Sequence, residues 1–154
     1  MAGGARSATT GAVYRAVREF ESDVPPGALL DVVWEVERYP EFVKGVRAVD
    51  VLSRDDHRCL ARFTAGLAGM DFHYVLACER DPAEVRWARV SGAFHDAAGR
   101  MTHLGGHQFR YENALDPGFA VPEFAVRFVL ERSLPRLIRE FTDRARARAR
   151  AAGT

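Results

Sequence analysis

The sequence predicts an α+β fold in which a curved antiparallel sheet of about seven strands is closed by one long C-terminal helix. Three patterns lead to this prediction. Short segments of alternating apolar and polar residues follow one another through the middle of the chain. Two short helical segments come after the first strand, and residues Pro122–Ala151 form one mostly helical stretch. A sheet closed by a single long helix can leave a space between the two.

Length and composition indicate one globular domain. The chain has 154 residues, of which 47% are hydrophobic, and this suits a single core. We expect residues 1–10, which are mostly Gly, Ala, Ser and Thr, to form a disordered tail and residues 11–151 to form the domain. The 22 basic residues nearly balance the 21 acidic ones. The field of the whole protein therefore does not favour nucleic acid as a partner.

The sequence shows no targeting or membrane-spanning pattern. Residues 1–10 lack the apolar segment of a signal peptide. No run reaches the roughly 18 apolar residues that a membrane helix needs. We therefore expect a cytoplasmic protein without a transmembrane segment.

Known catalytic and metal-binding patterns are also missing. Cys59 and Cys78 are too few for a disulfide framework and lie in apolar alternation, so we expect reduced core residues. His95, His103 and His107 match no metal-binding spacing. Neither a Gly-x-Ser-x-Gly elbow nor a phosphate-binding glycine loop occurs. We expect no metal and no cofactor, and the hydrolase and nucleotidase classes are excluded.

The N-terminal third predicts one strand and two short helices. Val13–Glu21 interleaves charged residues with β-forming ones, as a half-buried strand does. The Asp23–Gly27 segment breaks this strand, and apolar residues then recur at helical spacing over Ala28–Glu37. Pro40 ends that helix, and one further turn fits before Gly45.

The middle of the chain predicts a meander of six strands. The loops between these segments are only a few residues long and rich in Asp and Gly. A parallel return needs a crossover of about a dozen residues, so neighbouring strands must be antiparallel. The predicted strands are Val46–Ser53, Arg58–Ala65, Met70–Arg80, Val85–Ser91, Gly99–Leu104 and Gln108–Leu115.

The C-terminal stretch predicts a helix with a break. Phe124 and Phe128 lie on one apolar arc, whereas the apolar residues after Ser133 lie on another. Pro135 removes a helical hydrogen bond and clashes one turn back. A kink or a restart at Ser133 would bring both arcs onto one sheet.

Four arginines alternate with other residues near the C-terminus: Arg144, Arg146, Arg148 and Arg150. One interpretation is a solvated helix end, which the helix dipole favours. The other is a tether to RNA or to acidic lipid.

Alternation along the strands predicts which side chains face the helix. Ala61 and Ala65 are small residues among aromatic ones, which leaves room for a ligand. Ordinary core packing is the alternative. The predicted inward residues are Cys59, Ala61, Phe63 and Ala65 on the third strand, Met70, Phe72, Tyr74, Leu76 and Cys78 on the fourth, Val85 and Trp87 on the fifth, and Phe109, Tyr111, Asn113 and Leu115 on the seventh.

Polar members of the inward set are candidates for binding a ligand. An unpaired buried polar group costs about 1–3 kcal/mol, so each needs a reason to be there. Tyr74 and Tyr111 are two such candidates, and Asn113 either orients a ligand carbonyl or hydroxyl or bonds to neighbouring backbone. His103 is either an acid or base or a satisfied rim histidine. Arg89 either holds an acidic ligand end or is solvated.

Local motifs resemble a known family. Tyr39-Pro40-Glu41-Phe42, within Val36–Val46, resembles the Tyr-Pro-x-Phe segment of the coenzyme Q-binding START-domain family and of its polyketide cyclase/dehydrase relatives. Gly92-Ala93-Phe94, within Val90–Phe94, resembles their Gly-x-Phe step after the fifth strand. Gly99-Arg100-Met101 falls where they usually have Gly-x-Trp. With the order of elements, residues 11–150 are similar to the START-like (SRPBCC) superfamily, whose helix-grip fold includes the birch-pollen-allergen type.

The resemblance implies a cavity between sheet and C-terminal helix that holds a lipid, quinone, isoprenoid or polyketide intermediate. It leaves open a polyketide cyclase or aromatase of the dehydratase type, with His103, Tyr74 and Arg89 as candidate catalytic residues and an acyl-carrier or synthase partner. A third alternative, taken from ribosome-associating toxin relatives, is an interaction protein that uses its basic C-terminus. The expected ligand-binding residues are Phe63, Phe72, Tyr74, Trp87, Met101, His103, Tyr111, Asn113, Phe124 and Phe128.

Overall fold

Seven antiparallel strands form one open sheet in the computed structural model, which describes residues 13–67 and 69–153. The expected tail, residues 1–10, lies outside the described residues. The strands are β1 Tyr14–Glu21, β2 Val46–Arg54, β3 Arg58–Leu67, β4 Met70–Asp81, β5 Glu84–Gly92, β6 Asp96–Gly105 and β7 Gln108–Asp116. Their order in the sheet is β1-β7-β6-β5-β4-β3-β2.

This order confirms the predicted meander. Each strand from β2 to β6 pairs with the next along the chain, because the connecting turns are too short for any other arrangement. Strand β1 instead pairs with β7, with Tyr14 opposite Leu115 and Glu21 opposite Gln108. Most strand ends differ from the prediction by one or two residues, and the largest difference is at β6, which begins at Asp96 rather than at Gly99. Ala97 and Ala98 carry too weak an alternation to be recognised as strand.

Two short helices connect β1 to β2, as predicted, but the first helix ends earlier than predicted. Helix α1 spans Pro26–Trp34, and a 3₁₀ helix follows over Val36–Glu41. Pro26 suits the first helical turn, where its missing N–H is not needed. The expected single helix to Glu37 is wrong, because Glu35 has ψ 67°, which interrupts the helical path.

The C-terminal segment restarts where it was predicted to. Helix α2 spans Glu123–Phe128, a π-helical turn covers Val129–Ser133, and helix α3 runs over Leu134–Gly153. Pro135 is the second residue of α3 and directly follows this π-helical turn. The wide π turn changes the direction in which the two apolar arcs face. Within the described ranges, no helix combines the length and the apolar composition of a membrane span.

The packed core lies between α3, α1 and one end of the sheet. Each large side chain buried here stabilises the fold by about 1.5–3 kcal/mol. The two cysteines, Cys59 and Cys78, are buried and unlinked in this region. The core includes Leu134, Ile138, Phe141 and Ala145 from α3, Leu29, Leu30 and Val33 from α1, and Ala61, Met101 and Phe109 from the sheet.

The Tyr-Pro-x-Phe motif holds three elements together. The Tyr39 hydroxyl donates a hydrogen bond to the Val33 carbonyl at 2.6 Å, near the end of α1. The Tyr39 ring lies 6.1 Å from the ring of Phe63 on β3 and 5.4 Å from that of Phe141 on α3. Phe42 also contacts Phe141, at 6.0 Å. The motif therefore has a structural role.

Three of the C-terminal arginines bind the protein's own acidic residues. Each partner lies in the segment between β1 and β2, so the pairs fasten the end of α3 to that segment. These side chains are consequently less available to a polyanion than a free tail would be. The pairs are Arg144–Glu41, Arg146–Asp23 at 3.0 Å and Arg148–Glu35 at 2.9 Å.

Candidate functional site

The inner face of the sheet is closely packed at one end and half-open at the other. On β6, Met101 is fully buried, whereas Ala97 and Gly99 are only half-buried. On β7, Phe109 is likewise buried, but Asn113 is not. The same gradient runs along β4. We call the half-buried region the open end and define it by Ala65, Phe72, Tyr74, Trp87, Asn113 and Leu115.

Helix α2 begins beside the open end and does not cover it with its aromatic residues. Strand β7 ends at Asp116, and residues 117–122 lead directly into α2. Phe124 is 77% exposed and Phe128 is 54% exposed. The expectation that this arc packs on the sheet is wrong for these two side chains, because α2 is short and is offset from α3 by the π turn.

Aromatic rings run from the packed core to the open end. The rings of Phe63 and Tyr74 are stacked, with centroids 5.5 Å apart and an interplanar angle of 1°. Phe94 lies 5.4 Å from Phe72 and 5.5 Å from Tyr74. Such rings present flat apolar surfaces that favour another planar group.

A second aromatic pair lies across the open end. The ring centroids of Trp87 and Tyr111 are 5.9 Å apart. The indole lies over Gly99, where a Cβ atom would be only 2.7 Å from Cε2 and Cζ2 of Trp87. Gly99 therefore allows Trp87 to lie flat on the sheet.

Three polar side chains at or beside the open end make no hydrogen bond to the part of the protein that the structure describes. Within the described residues, no hydrogen bond joins the hydroxyls of Tyr74 and Tyr111 or the amide of Asn113 to a protein partner. Among the described residues, none of these polar atoms is both completely buried and without a partner. Burial raises the pKa of Tyr74 to about 12 and also raises the pKa of Tyr111. Both phenols are thus protonated at neutral pH and can donate to a ligand oxygen.

The other two polar candidates have partners in the protein. His103 Nε2 lies 2.9 Å from the Gly106 carbonyl, and its ring lies 5.1 Å from Phe109. Fully buried Met101 separates it from the open end. The structure thus places His103 at the packed end. Alternation predicts which face of the sheet a residue lies on, but it does not predict which end of that face is packed.

Arg89 braces the turn between β5 and β6. Its Nη2 donates to the Gly92 carbonyl at 2.7 Å, and its Nε donates to the Ala93 carbonyl at 3.2 Å. The guanidinium is therefore engaged with backbone rather than free for a ligand. Sequence reasoning missed Phe94, which this turn positions against Phe72. The Gly92-Ala93-Phe94 motif was the available signal.

The outer face of the sheet carries a groove of about 470 Å³, whose lining also includes Trp87 and Asn113 of the open end. Its floor is a row of alanines in direct register on four adjacent strands. Its charged wall residues pair with one another, Arg86 with Glu79 and Arg100 with Glu112, both at 3.0 Å. Because the Tyr74 and Tyr111 hydroxyls, which have no hydrogen-bond partner in the described ranges, lie on the inner face, we place the candidate site there. The alanines are Ala77, Ala88, Ala98 and Ala114.

The curved sheet, the C-terminal helix and the half-open inner face define a helix-grip protein of the START-like superfamily. The profile of one family, described as polyketide cyclase / dehydrase and lipid transport, matches residues 22–142. The chain belongs to this family. Among curated protein sequences, none is similar enough to this chain to count as a relative.

Solved structures with the same fold cover nearly the whole chain. The Zhui aromatase/cyclase from Streptomyces sp. R1128 has a TM-score of 0.74 and 15% identity, over 92% of this chain and 99% of that one. A START superfamily protein from Mycobacterium smegmatis has a TM-score of 0.71 and 16% identity, over 87% and 98%. Ara h 8.0201 has a TM-score of 0.65 and 11% identity, over 88% and 99%. At these identities the similarity shows the fold.

Proposed function

We propose that this protein binds an uncharged hydrophobic or aromatic small molecule, such as a quinone, an isoprenoid or a polyketide intermediate, at the open end. One observation carries the proposal: among the described residues, the hydroxyls of Tyr74 and Tyr111 and the amide of Asn113 have no hydrogen-bond partner, yet both tyrosines pack against aromatic rings of the inner face. An apolar wall with a few oriented polar groups is typical of a small-molecule site. A neutral ligand with a carbonyl or hydroxyl oxygen suits these groups, since the guanidinium of Arg89, which shares the Trp87 face of β5, is already engaged.

The exposed aromatic residues of α2 support the same proposal. Phe124 and Phe128 are separated by one helical turn, so they share a face. Together they present apolar area beside the open end that would be covered if a ligand lay between α2 and the sheet. A ligand buried there would gain about 25 cal/mol per Å² of apolar surface removed from water.

A polyketide cyclase or aromatase is the second candidate function, and the family description favours it. In that case Tyr74 and Tyr111 would donate to carbonyl oxygens of a poly-β-ketone and an acyl-carrier or synthase partner would deliver the chain. Proton abstraction also needs a base whose pKa is near neutral. His103 lies at the packed end and Arg89 is engaged, so the geometry supports binding better than catalysis.

Binding can be tested with a matched pair of substitutions. Ala65→Phe places a ring in the open end, whereas Ala88→Phe places the same ring on exposed outer surface. Binding of N-phenyl-1-naphthylamine, an uncharged planar fluorescent probe, would be titrated for both variants. We expect Ala65→Phe to weaken binding by at least about tenfold, or about 1.4 kcal/mol, and Ala88→Phe to leave it unchanged. Equal binding by both variants would overturn the proposal.

The cyclase candidate needs a different readout. Tyr74→Phe and Asn113→Ala would be compared for turnover of a poly-β-ketone and for its affinity. A loss of turnover with unchanged affinity would favour catalysis, because it shows an interaction made in the transition state. A loss of affinity without a change in chemistry, or no turnover by the wild type, would favour binding alone.

A further inference from the structure

Phe94 has a backbone conformation that its side chain disfavours. Its φ is 73°, and within the described residues it is the one non-glycine with a positive φ. A bulky residue rarely adopts this region, because its Cβ crowds the following carbonyl. Such a residue persists only where its surroundings fix it, and functional sites are where this occurs most often.

The surroundings of Phe94 fix its backbone from both sides. Before it, the Ala93 N–H donates to the His73 carbonyl at 2.8 Å, and Arg89 holds the Ala93 carbonyl. After it, the His95 N–H donates to the Asp116 carbonyl at 2.8 Å. Both neighbours are therefore anchored to strands of the sheet.

The preceding glycine sets the approach of this turn to β4. Gly92 has φ 97°, and a Cβ atom there would lie 2.5 Å from both the His73 carbonyl oxygen and the Tyr74 Cα. The turn can lie this close only because residue 92 has no side chain. It thereby brings Phe94 directly over the open end.

The Phe94 ring covers the two aromatic rings at the edge of the open end. It is stacked on Phe72 with an interplanar angle of 24° and tilted against Tyr74 at 54°. It remains half-buried. A planar ligand that stacks on Phe72 would need the space that this ring occupies.

We propose that Phe94 is an aromatic shutter: its side chain occupies the stacking position on Phe72 and Tyr74 and swings away when a planar ligand binds. The anchored backbone stays in place, and rotation about the side-chain bonds alone opens the position. A planar ligand replaces the stacking contact that Phe94 gives up, whereas a saturated chain does not. The shutter therefore favours planar ligands, and it rests on the function proposed above.

The shutter lowers the apparent affinity in proportion to the time it is closed. If the position is open in about one molecule in ten, removing the ring strengthens binding by about tenfold. We would measure N-phenyl-1-naphthylamine binding by stopped-flow and equilibrium fluorescence in the wild type, Phe94→Ala and Phe94→Leu. Phe119→Ala is the matched control, because Phe119 is 55% exposed and makes no ring contact with Phe72 or Tyr74. Thermal melting would establish that each variant is folded.

Faster and tighter binding by Phe94→Ala, an intermediate effect for Phe94→Leu and none for Phe119→Ala would support the shutter. Unchanged binding by Phe94→Ala would overturn it and leave the proposed function intact. Weaker binding would also overturn it, since Phe94 would then be a fixed wall of the site. If neither the wild type nor any folded variant binds the probe, the proposed function fails, and the shutter fails with it.

Discussion

The indole of Trp87 on β5 lies directly over Gly99 on β6. The two residues are partners in the β5–β6 register, and a Cβ atom on Gly99 would be 2.7 Å from two indole carbons and 2.6 Å from the Glu112 carbonyl oxygen. The absence of a side chain at residue 99 thus sets both the position of the indole and the close approach of β7. The Gly-x-Met sequence at residues 99–101 is used for packing at the inner face.

Gly99→Ala should destabilise the protein and displace Trp87. The added methyl group meets backbone as well as a flexible side chain, so relaxation of the indole cannot remove the clash. Overpacking of this kind costs about 1–3 kcal/mol. Denaturant unfolding would measure the loss, and Trp fluorescence would report the displaced ring.

Gly27→Ala is the control for that substitution. Gly27 lies in α1 with no atom within 4 Å of an added Cβ, so alanine should raise the free energy of unfolding by up to about 1 kcal/mol. A similar change for both variants, in size and sign, would contradict the steric explanation.

Tyr39→Phe should destabilise the fold without altering ligand binding. The substitution keeps the ring against Phe63 and Phe141 but removes the hydrogen bond to the Val33 carbonyl. A buried hydrogen bond contributes about 0.5–1.5 kcal/mol, and we expect a loss in this range in urea unfolding. Probe affinity should be unchanged in the folded variant. A large fall in affinity at wild-type stability would instead place Tyr39 in the binding site.

Much of this fold could be predicted because its signals are local. Alternation on β4 predicts that Leu76 and Cys78 face inward, and the structure buries both. Short turns fix the antiparallel order, and Ser133 and Pro135 mark the restart of the C-terminal helix. Each of these features depends on residues close in sequence, which is why one sequence by itself was enough to predict them.

The site was harder to predict because it depends on distances across the fold. His103 and Asn113 both alternate inward, but one lies at the packed end and the other at the open end. Phe124 has the same apolar character as Phe141, yet it is exposed because α2 is offset from α3. Phe94 depends on a positive φ that follows from the anchoring of its neighbours. Alternation and helical periodicity encode none of these relationships, although the Gly92-Ala93-Phe94 motif marks the turn that holds Phe94.

The C-terminal arginines should contribute modestly to stability through ion pairs. In a double-mutant cycle, Arg148→Ala and Glu35→Ala should show a coupling energy of about 0.2–1 kcal/mol, because the pair is solvent-accessible. The coupling should shrink in high salt. Arg150→Ala is a suitable control, since the described residues give it no acidic partner. Undetectable coupling, together with RNA or acidic-vesicle binding that depends on Arg148, would favour the tether interpretation.

Stability should fall steeply at alkaline pH because buried phenols must ionise on unfolding. Burial raises the pKa of Tyr74 from 10.0 to about 12 and that of Cys78 to about 12. Above pH 10 the unfolded chain has released the Tyr74 proton while the folded protein still holds it, so the unfolded state binds fewer protons. The free energy of unfolding therefore decreases as pH rises from about 10 to 12, whereas below pH 10 this contribution is constant.

Urea unfolding at intervals across this range should show a shallower decline for Tyr74→Phe than for the wild type. At pH 7 the two proteins should have similar stability, because phenylalanine keeps the stacking on Phe63. Identical slopes would mean that the Tyr74 hydroxyl is hydrated in the folded protein, and the open end would then be wet rather than apolar.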